Sequence, residues 1–261
     1  MLGTAVDGWR PGWDFAGILR SDVDGGLRAG ARIVGIRRGE TWAERVAVPE
    51  DWIAELPNGV SFAQAAALPT AGLAALRMLR LGPAIMGRRV LVTGATGGVG
   101  RFAIQLAHLG GADVTALVGS GSTRAEGLRQ LGADEVVSDV EQLQGRFDLI
   151  LESVGGDTLG RLVTMVDPSG TLVMFGNSSG DATTFNVRDV YNVALVRLQG
   201  FELFYGIEPF GRDLGYLASL VAQGRLDPQL ADELPWEEMA RALDRLRDRA
   251  VAGKIALTIG V

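Results

Sequence analysis

Residues 90–100 read VLVTGATGGVG, and this stretch constrains the fold more tightly than any other. An apolar strand pattern runs straight into a glycine turn, and the turn runs straight into a helical pattern. That succession gathers main-chain N–H groups at one point, where they and the helix dipole stabilise a bound phosphate. Gly97 lets the backbone approach a pyrophosphate, and Gly100 lets the helix pack on the strand. The turn departs from G-x-G-x-x-G at its first glycine, where Ala95 stands after Gly94. A glycine turn alone is a weak sign; with strand and helix in register around it, it reads as a dinucleotide site. Ala95, Thr96, Gly97, Gly98 and Val99 are the candidate contacts within it.

Downstream the pattern alternates. Strands are expected over 90–93, 113–118, 135–137, 149–154 and 171–175, with helices over 99–109, 125–131 and 159–166. The strands are almost continuously apolar, as a parallel sheet covered on both faces requires. The fold class is therefore α/β with a Rossmann, doubly wound sheet. Upstream the pattern differs, with short strands expected over 15–19, 32–36 and 42–48. Asp24-Gly25-Gly26 and Arg37-Arg38-Gly39-Glu40 form the turns between them. Ser61 is placed to cap an alanine-rich helix over 62–68, and a second helix is expected over 71–81. After residue 206 come a helix over 214–223, an amphipathic helix with Met239, Leu243 and Leu246 on one face, and a last strand over 255–259.

The end of the strand over 113–118 decides which dinucleotide fits. An NAD site carries an acidic residue there, about 20 residues past the glycine motif, to hold the ribose hydroxyls. Here the chain reads GSGSTR from Gly119 to Arg124, and Asp113 lies at the wrong end of the strand. Gly119, Ser120, Ser122 and Arg124 instead offer room, hydroxyls and a guanidinium suited to a phosphate. This predicts NADPH, against the plainer alternative of a polar loop with a solvated arginine.

Composition removes several chemistries. The chain has no cysteine and one histidine, His108. Thiol nucleophiles, disulfides and thiolate metal sites are excluded, an imidazole metal site nearly so, and no metal is expected. His108 falls on a helix face with Arg101 and Gln105 and is expected to face solvent. The net charge of -6 argues against nucleic acid or an anionic membrane as the main partner. No apolar stretch approaches the roughly 20 residues of a membrane span, and residues 1–10 lack a signal pattern. A cytoplasmic protein is expected.

Several segments together make the sequence resemble the medium-chain dehydrogenase/reductase superfamily, in its zinc-free quinone oxidoreductase branch. GWDFAGIL, AGARIVGI and WAERVAVP are similar to strands of that family's substrate domain, and LPNGVSFAQAAALPTAGLAAL to the segment joining its two domains. ATGGVG with FAIQLAHLGGADV resembles the cofactor turn and first helix. FGNSSG resembles the strand end facing the nicotinamide, and GKIAL the closing strand. The resemblance implies a shortened GroES-like, β-rich substrate domain over 1–73 and 207–261, with the Rossmann domain over 74–206. It places Val154, Gly155, Phe175, Gly176, Asn177 and Ser178 near the nicotinamide, and Phe201 to Phe204 near its carboxamide. It implies a homodimer through the Rossmann edge strand within VYNVALVRLQGFEL. Two departures stand out. The family's N-terminal strands before Gly12 are missing, and its GLTA reads GLAA, so Ala74 lacks an expected hydroxyl.

The implied activity is hydride transfer from NADPH to an α,β-unsaturated carbonyl or quinone, without metal. The protein positions the ring and substrate and stabilises the enolate, while water or a hydroxyl supplies the proton. Thr70, Asn177, Ser178, Tyr191 and Tyr205 are the polar candidates, and no residue is assigned as the catalytic acid. Two alternatives remain open at this point: a non-redox cyclisation or elimination on the same fold, and a non-catalytic NADPH-binding protein.

Overall fold

The computed structural model describes residues 8, 10–24, 26–121, 125, 127–192, 195–205, 209–248 and 250–260. The chain divides into two compact units, Ala74–Leu203 on one hand and Met1–Leu73 with Phe204–Val261 on the other.

The first unit is built on six parallel strands: β4 (Arg89–Thr93), β5 (Asp113–Leu117), β6 (Glu135–Val137), β7 (Phe147–Glu152), β8 (Val166–Met174) and β9 (Arg197–Gly200). Their order across the sheet is β6-β5-β4-β7-β8-β9. The chain thus starts in the middle, winds to one edge, returns to the middle and winds to the other edge. The reversal falls between β4 and β7, where open α/β sheets bind their ligands. Val90, Leu91, Val92, Leu149, Ile150, Leu151, Leu172 and Val173 are fully buried on the central strands β4, β7 and β8. Burying each such side chain stabilises the fold by ~1.5–3 kcal/mol. Helix α3 (Gly98–Leu109) covers one face and buries Phe102, Ala103, Ile104 and Ala107. The unit also contains α4 (Gly156–Leu162) and the five-residue α5 (Val187–Tyr191).

The second unit holds an antiparallel sheet of β1 (Asp14–Ile18), β2 (Arg32–Ile36) and β3 (Ile53–Glu55), and a parallel pair of β10 (Leu230–Pro235) and β11 (Lys254–Thr258). Helices α1 (Phe62–Ala66), α6 (Gly211–Ala222) and α7 (Met239–Arg247) complete it, and α2 (Pro69–Leu79) runs out of it. Ser61 caps α1 as its sequence predicts. Its hydroxyl accepts from the Gln64 amide at 3.1 Å, and the Gln64 side chain accepts from the Ser61 amide at 2.9 Å, a reciprocal capping box.

Three expectations need correcting, and one strand has no sign in the sequence. Residues 42–48 are not a strand. The Trp42 amide donates to the Pro11 carbonyl and the Trp42 ring meets Trp236 edge-on, so this segment bonds to the approach to β1 instead of entering a ladder. The third strand is β3. Residues 127–131 form turns, not a helix, because Gly127 sits at φ +83° and breaks the αR run. The helix expected over 159–166 starts earlier and ends in a 3-10 turn at Val163–Met165, with β8 opening at Val166. Finally, β10 has no apolar alternation to announce it and exists by pairing with β11. Among the described residues no helix is long and apolar enough to cross a membrane.

Candidate cofactor site

Three loops leave the carboxyl ends of the central strands β4, β7 and β8. The first is the glycine turn. Gly94 takes φ +57°, and a Cβ there would lie 2.4 Å from the Ser153 Oγ, so only glycine allows the turn this close to the neighbouring strand. The Gly97 amide donates to the Gly94 carbonyl at 2.9 Å and closes the turn. Gly97 is then the N-cap of α3 and no side chain caps the helix. Amides of the first helical turn lack intrahelical partners, and here they sit at half-buried Gly98 and Val99. A cofactor phosphate fits this donor set. Ala95 and Thr96 are buried and serve the turn from beneath, Thr96 through its carbonyl, which accepts from Arg101 Nε at 3.4 Å.

The second loop, 153–155, follows β7, whose last residue is a carboxylate. Glu152 is fully buried. Its Oε1 accepts from the Val154 amide at 2.7 Å, the Gly155 amide at 3.2 Å and the Thr93 hydroxyl at 3.3 Å, and its Oε2 also accepts from Gly155 at 3.2 Å. The Thr93 hydroxyl in turn accepts from the Ser153 amide at 2.8 Å. Burial pushes the Glu152 carboxyl up from its ordinary range, against the opposing pull of the amides and the hydroxyl.

The third loop, 175–181, is laced to the second. The Phe175, Ser178 and Ser179 amides donate to the carbonyls of Glu152, Ser153 and Val154, each at 2.9 Å. Asn177 and Ser178 are exposed, as is Gly176, while Val154 and Phe175 are half-buried. The Asn177 Oδ1 accepts from the Ser179 hydroxyl at 3.2 Å, which fixes the amide's orientation. Gly155, at φ +78°, lies under that amide; a Cβ there would sit 2.0 Å from Asn177 Oδ1.

The structure therefore gathers Ala95 to Val99, Val154, Gly155 and Phe175 to Ser178 at one end of the sheet. Gly119 and Ser120 lie beyond the end of β5, exposed, and the Ser120 hydroxyl donates to the Ser138 carbonyl at 3.1 Å. Ser122 and Arg124 lie outside the described residues. Thr70 belongs to another environment, where its amide donates to Asp14 Oδ1 at 3.0 Å and its hydroxyl to the same oxygen. Lys254 Nζ stands 3.7 Å from the other Asp14 oxygen. Tyr191 and Tyr205 are exposed. His108 is exposed at the end of α3, whereas Arg101 and Gln105 on the same helix are buried. Glu152 and Thr93 were missed by sequence reasoning. The only sign was a carboxylate ending the apolar run FDLILE.

Residues 131–257 match a family model described as zinc-binding dehydrogenase. Zinc itself does not fit this donor set, which has one exposed histidine and no cysteine. Among the described residues no three His, Cys, Asp or Glu side chains cluster. The putative quinone oxidoreductase YhfP of Bacillus subtilis is 33% identical over 187 residues, covering 65% of this chain and 56% of that protein. The chain thus spans little more than half of that relative's length. The structure of yhfP with NAD bound superposes with a TM-score of 0.79 at 26% identity, over 95% of this chain and 80% of that one. The Coxiella burnetii quinone oxidoreductase gives 0.79 at 29% identity, over 96% and 79%. The Salmonella enterica yhdH oxidoreductase in complex with NADP gives 0.79 at 27% identity, over 96% and 82%.

Proposed function

We propose that the chain is a member of the medium-chain dehydrogenase/reductase superfamily, on its quinone and enoyl reductase side, and that it is an NADPH-dependent, metal-independent reductase of α,β-unsaturated carbonyls or quinones. The observation that carries this reading is the meeting of the three loops at the strand reversal. The turn before α3 offers amides to a pyrophosphate, and the 153–155 and 175–178 loops, locked to each other, offer a rigid floor beside it. The nicotinamide supplies the hydride when bound. Glu152 and Thr93 hold the floor loop in place, and Asn177 presents an oriented amide from it.

The 2'-phosphorylated cofactor is favoured by the stretch after β5, where the sequence carries Gly119 and Ser120 in place of a carboxylate that would oppose a 2'-phosphate. Arg124 is assigned to that phosphate, and Ser122 beside it. The edge of β9, unpaired among the described residues, is the surface assigned to a homodimer. Calorimetric titration with NADPH and NADH, followed by NADPH oxidation across a panel of quinones and enones, tests the proposal. Tighter binding of NADPH with turnover of at least one acceptor is expected. NADPH binding without turnover of any acceptor defeats the reductase assignment, and preference for NADH defeats the cofactor assignment.

A further inference from the structure

The turn Arg37-Arg38 reads in the sequence as a solvated basic pair, and the structure separates its two members. Arg37 is spent on Glu40, its Nη2 lying 2.6 Å from Glu40 Oε2. Arg38 has no carboxylate partner among the described residues and lies instead over aromatic rings. Its Cζ stands 5.9 Å from the ring centroids of both Phe204 and Tyr205. Phe204 is part of a larger aromatic group, meeting Trp13 edge-on at 5.3 Å, Phe210 at 5.7 Å and Trp52 at 6.0 Å; Trp52 meets Phe210 at 4.8 Å. The group has a buried foot, Phe210, and an exposed rim, with Trp13 42% and Tyr205 79% exposed.

The backbone fixes this arrangement. The Arg37 amide donates to the Trp13 carbonyl at 2.9 Å and the Glu40 amide to the Arg10 carbonyl at 3.0 Å, so the turn carrying Arg38 is tied beside Trp13. A guanidinium at 5.9 Å from a ring is at the outer limit of a cation–π contact. It is oriented by the rings, but its N–H groups remain available. An exposed aromatic rim ending in such a fork matches a flat conjugated body with a carboxylate at one end.

We propose that Trp13, Phe204, Tyr205 and Arg38 form a binding site for planar conjugated carboxylates. The exposed Trp13 and Tyr205 rings hold the flat body, Phe204 backs Trp13, and Arg38 takes the carboxylate through paired N–H donors.

The test uses the full chain, with cinnamate as the anionic probe and cinnamamide as its neutral match, titrated by calorimetry at low salt. Cinnamate is expected to bind about fivefold more tightly, the span of an exposed charge-assisted contact. The Arg38→Gln variant should bring the two ligands within twofold of each other, and Trp13→Ala should weaken both equally. NADPH affinity of the Arg38→Gln protein reports whether it is intact and should not change. Equal binding of the two ligands by the unaltered chain, no measurable binding of either, or a preference that survives Arg38→Gln overturns the site. NADPH oxidation with cinnamaldehyde is measured on the same preparations. Retained carboxylate preference with no turnover there counts against the reductase reading and leaves the binding site standing.

Discussion

The Thr93 hydroxyl donates to the buried Glu152 carboxylate at 3.3 Å and accepts from the Ser153 amide at 2.8 Å, so one side chain ties the end of β4 to the end of β7. This link crosses the strand reversal that builds the cofactor site. Thr93→Val keeps the shape of the side chain and removes both bonds. It leaves a buried carboxylate short of a donor and a half-buried amide short of an acceptor, a loss of about 1–3 kcal/mol. Urea unfolding should show that loss as a lower midpoint with an unchanged slope. A variant as stable as the parent would show that the link contributes nothing.

Glu152 also gives the fold a pH signature. Burial raises its folded-state pKa above the ordinary 4.5. Above that ordinary value the folded chain holds more protons than the unfolded one, so this group's contribution to stability falls as pH rises and levels off beyond the folded-state pKa. Glu152→Gln removes the titration. The stability of the unaltered chain minus that of Glu152→Gln should therefore decrease from about pH 4.5 towards neutrality. Unfolding measured at several pH values reads this difference, and an increase with pH contradicts it.

Gly155 is held at φ +78° beneath Asn177 Oδ1. Gly155→Ala meets both a disfavoured backbone region and a direct clash, so more than ~1 kcal/mol of stability should be lost. The 175–178 loop must shift to relieve the clash. NADPH affinity is expected to fall at least tenfold, whereas Gly180→Ala, which shares the positive φ but meets no clash, should cost affinity less. Equal effects of the two substitutions on NADPH binding would remove Gly155 from the site.

How far the sequence reveals these features depends on the range of the interactions behind them. The VLVTGATGGVG unit and the Ser61 cap are local, each settled within a few residues, and both are legible. Residues 42–48 have the local pattern of a strand yet form none, because Trp42 finds its partners in Pro11 and Trp236, far away in sequence. Gly127 ends a helix that its neighbours favour, through a single positive φ. The partnership of Thr93 with Glu152 spans 59 residues and leaves no local pattern at either end. Arg37 and Arg38 look alike in the chain; Glu40 nearby and Phe204 far away make them different.

Coenzyme preference can be altered at Gly119. Nothing lies within 4 Å of a Cβ built there, so a side chain enters without clash. Gly119→Asp supplies the carboxylate that NAD sites use on the ribose and that repels a 2'-phosphate. The ratio of NADPH to NADH affinity should fall by at least tenfold, read by calorimetry. An unchanged ratio would show that this strand end does not meet the ribose.

Hydride delivery is tested most directly by following the atom itself. With NADPH dideuterated at nicotinamide C4 and an enone acceptor, deuterium should appear at the carbon β to the carbonyl of the reduced product, located by NMR. Reduced product without deuterium at that carbon, or no product from any acceptor while NADPH binds, would contradict the account.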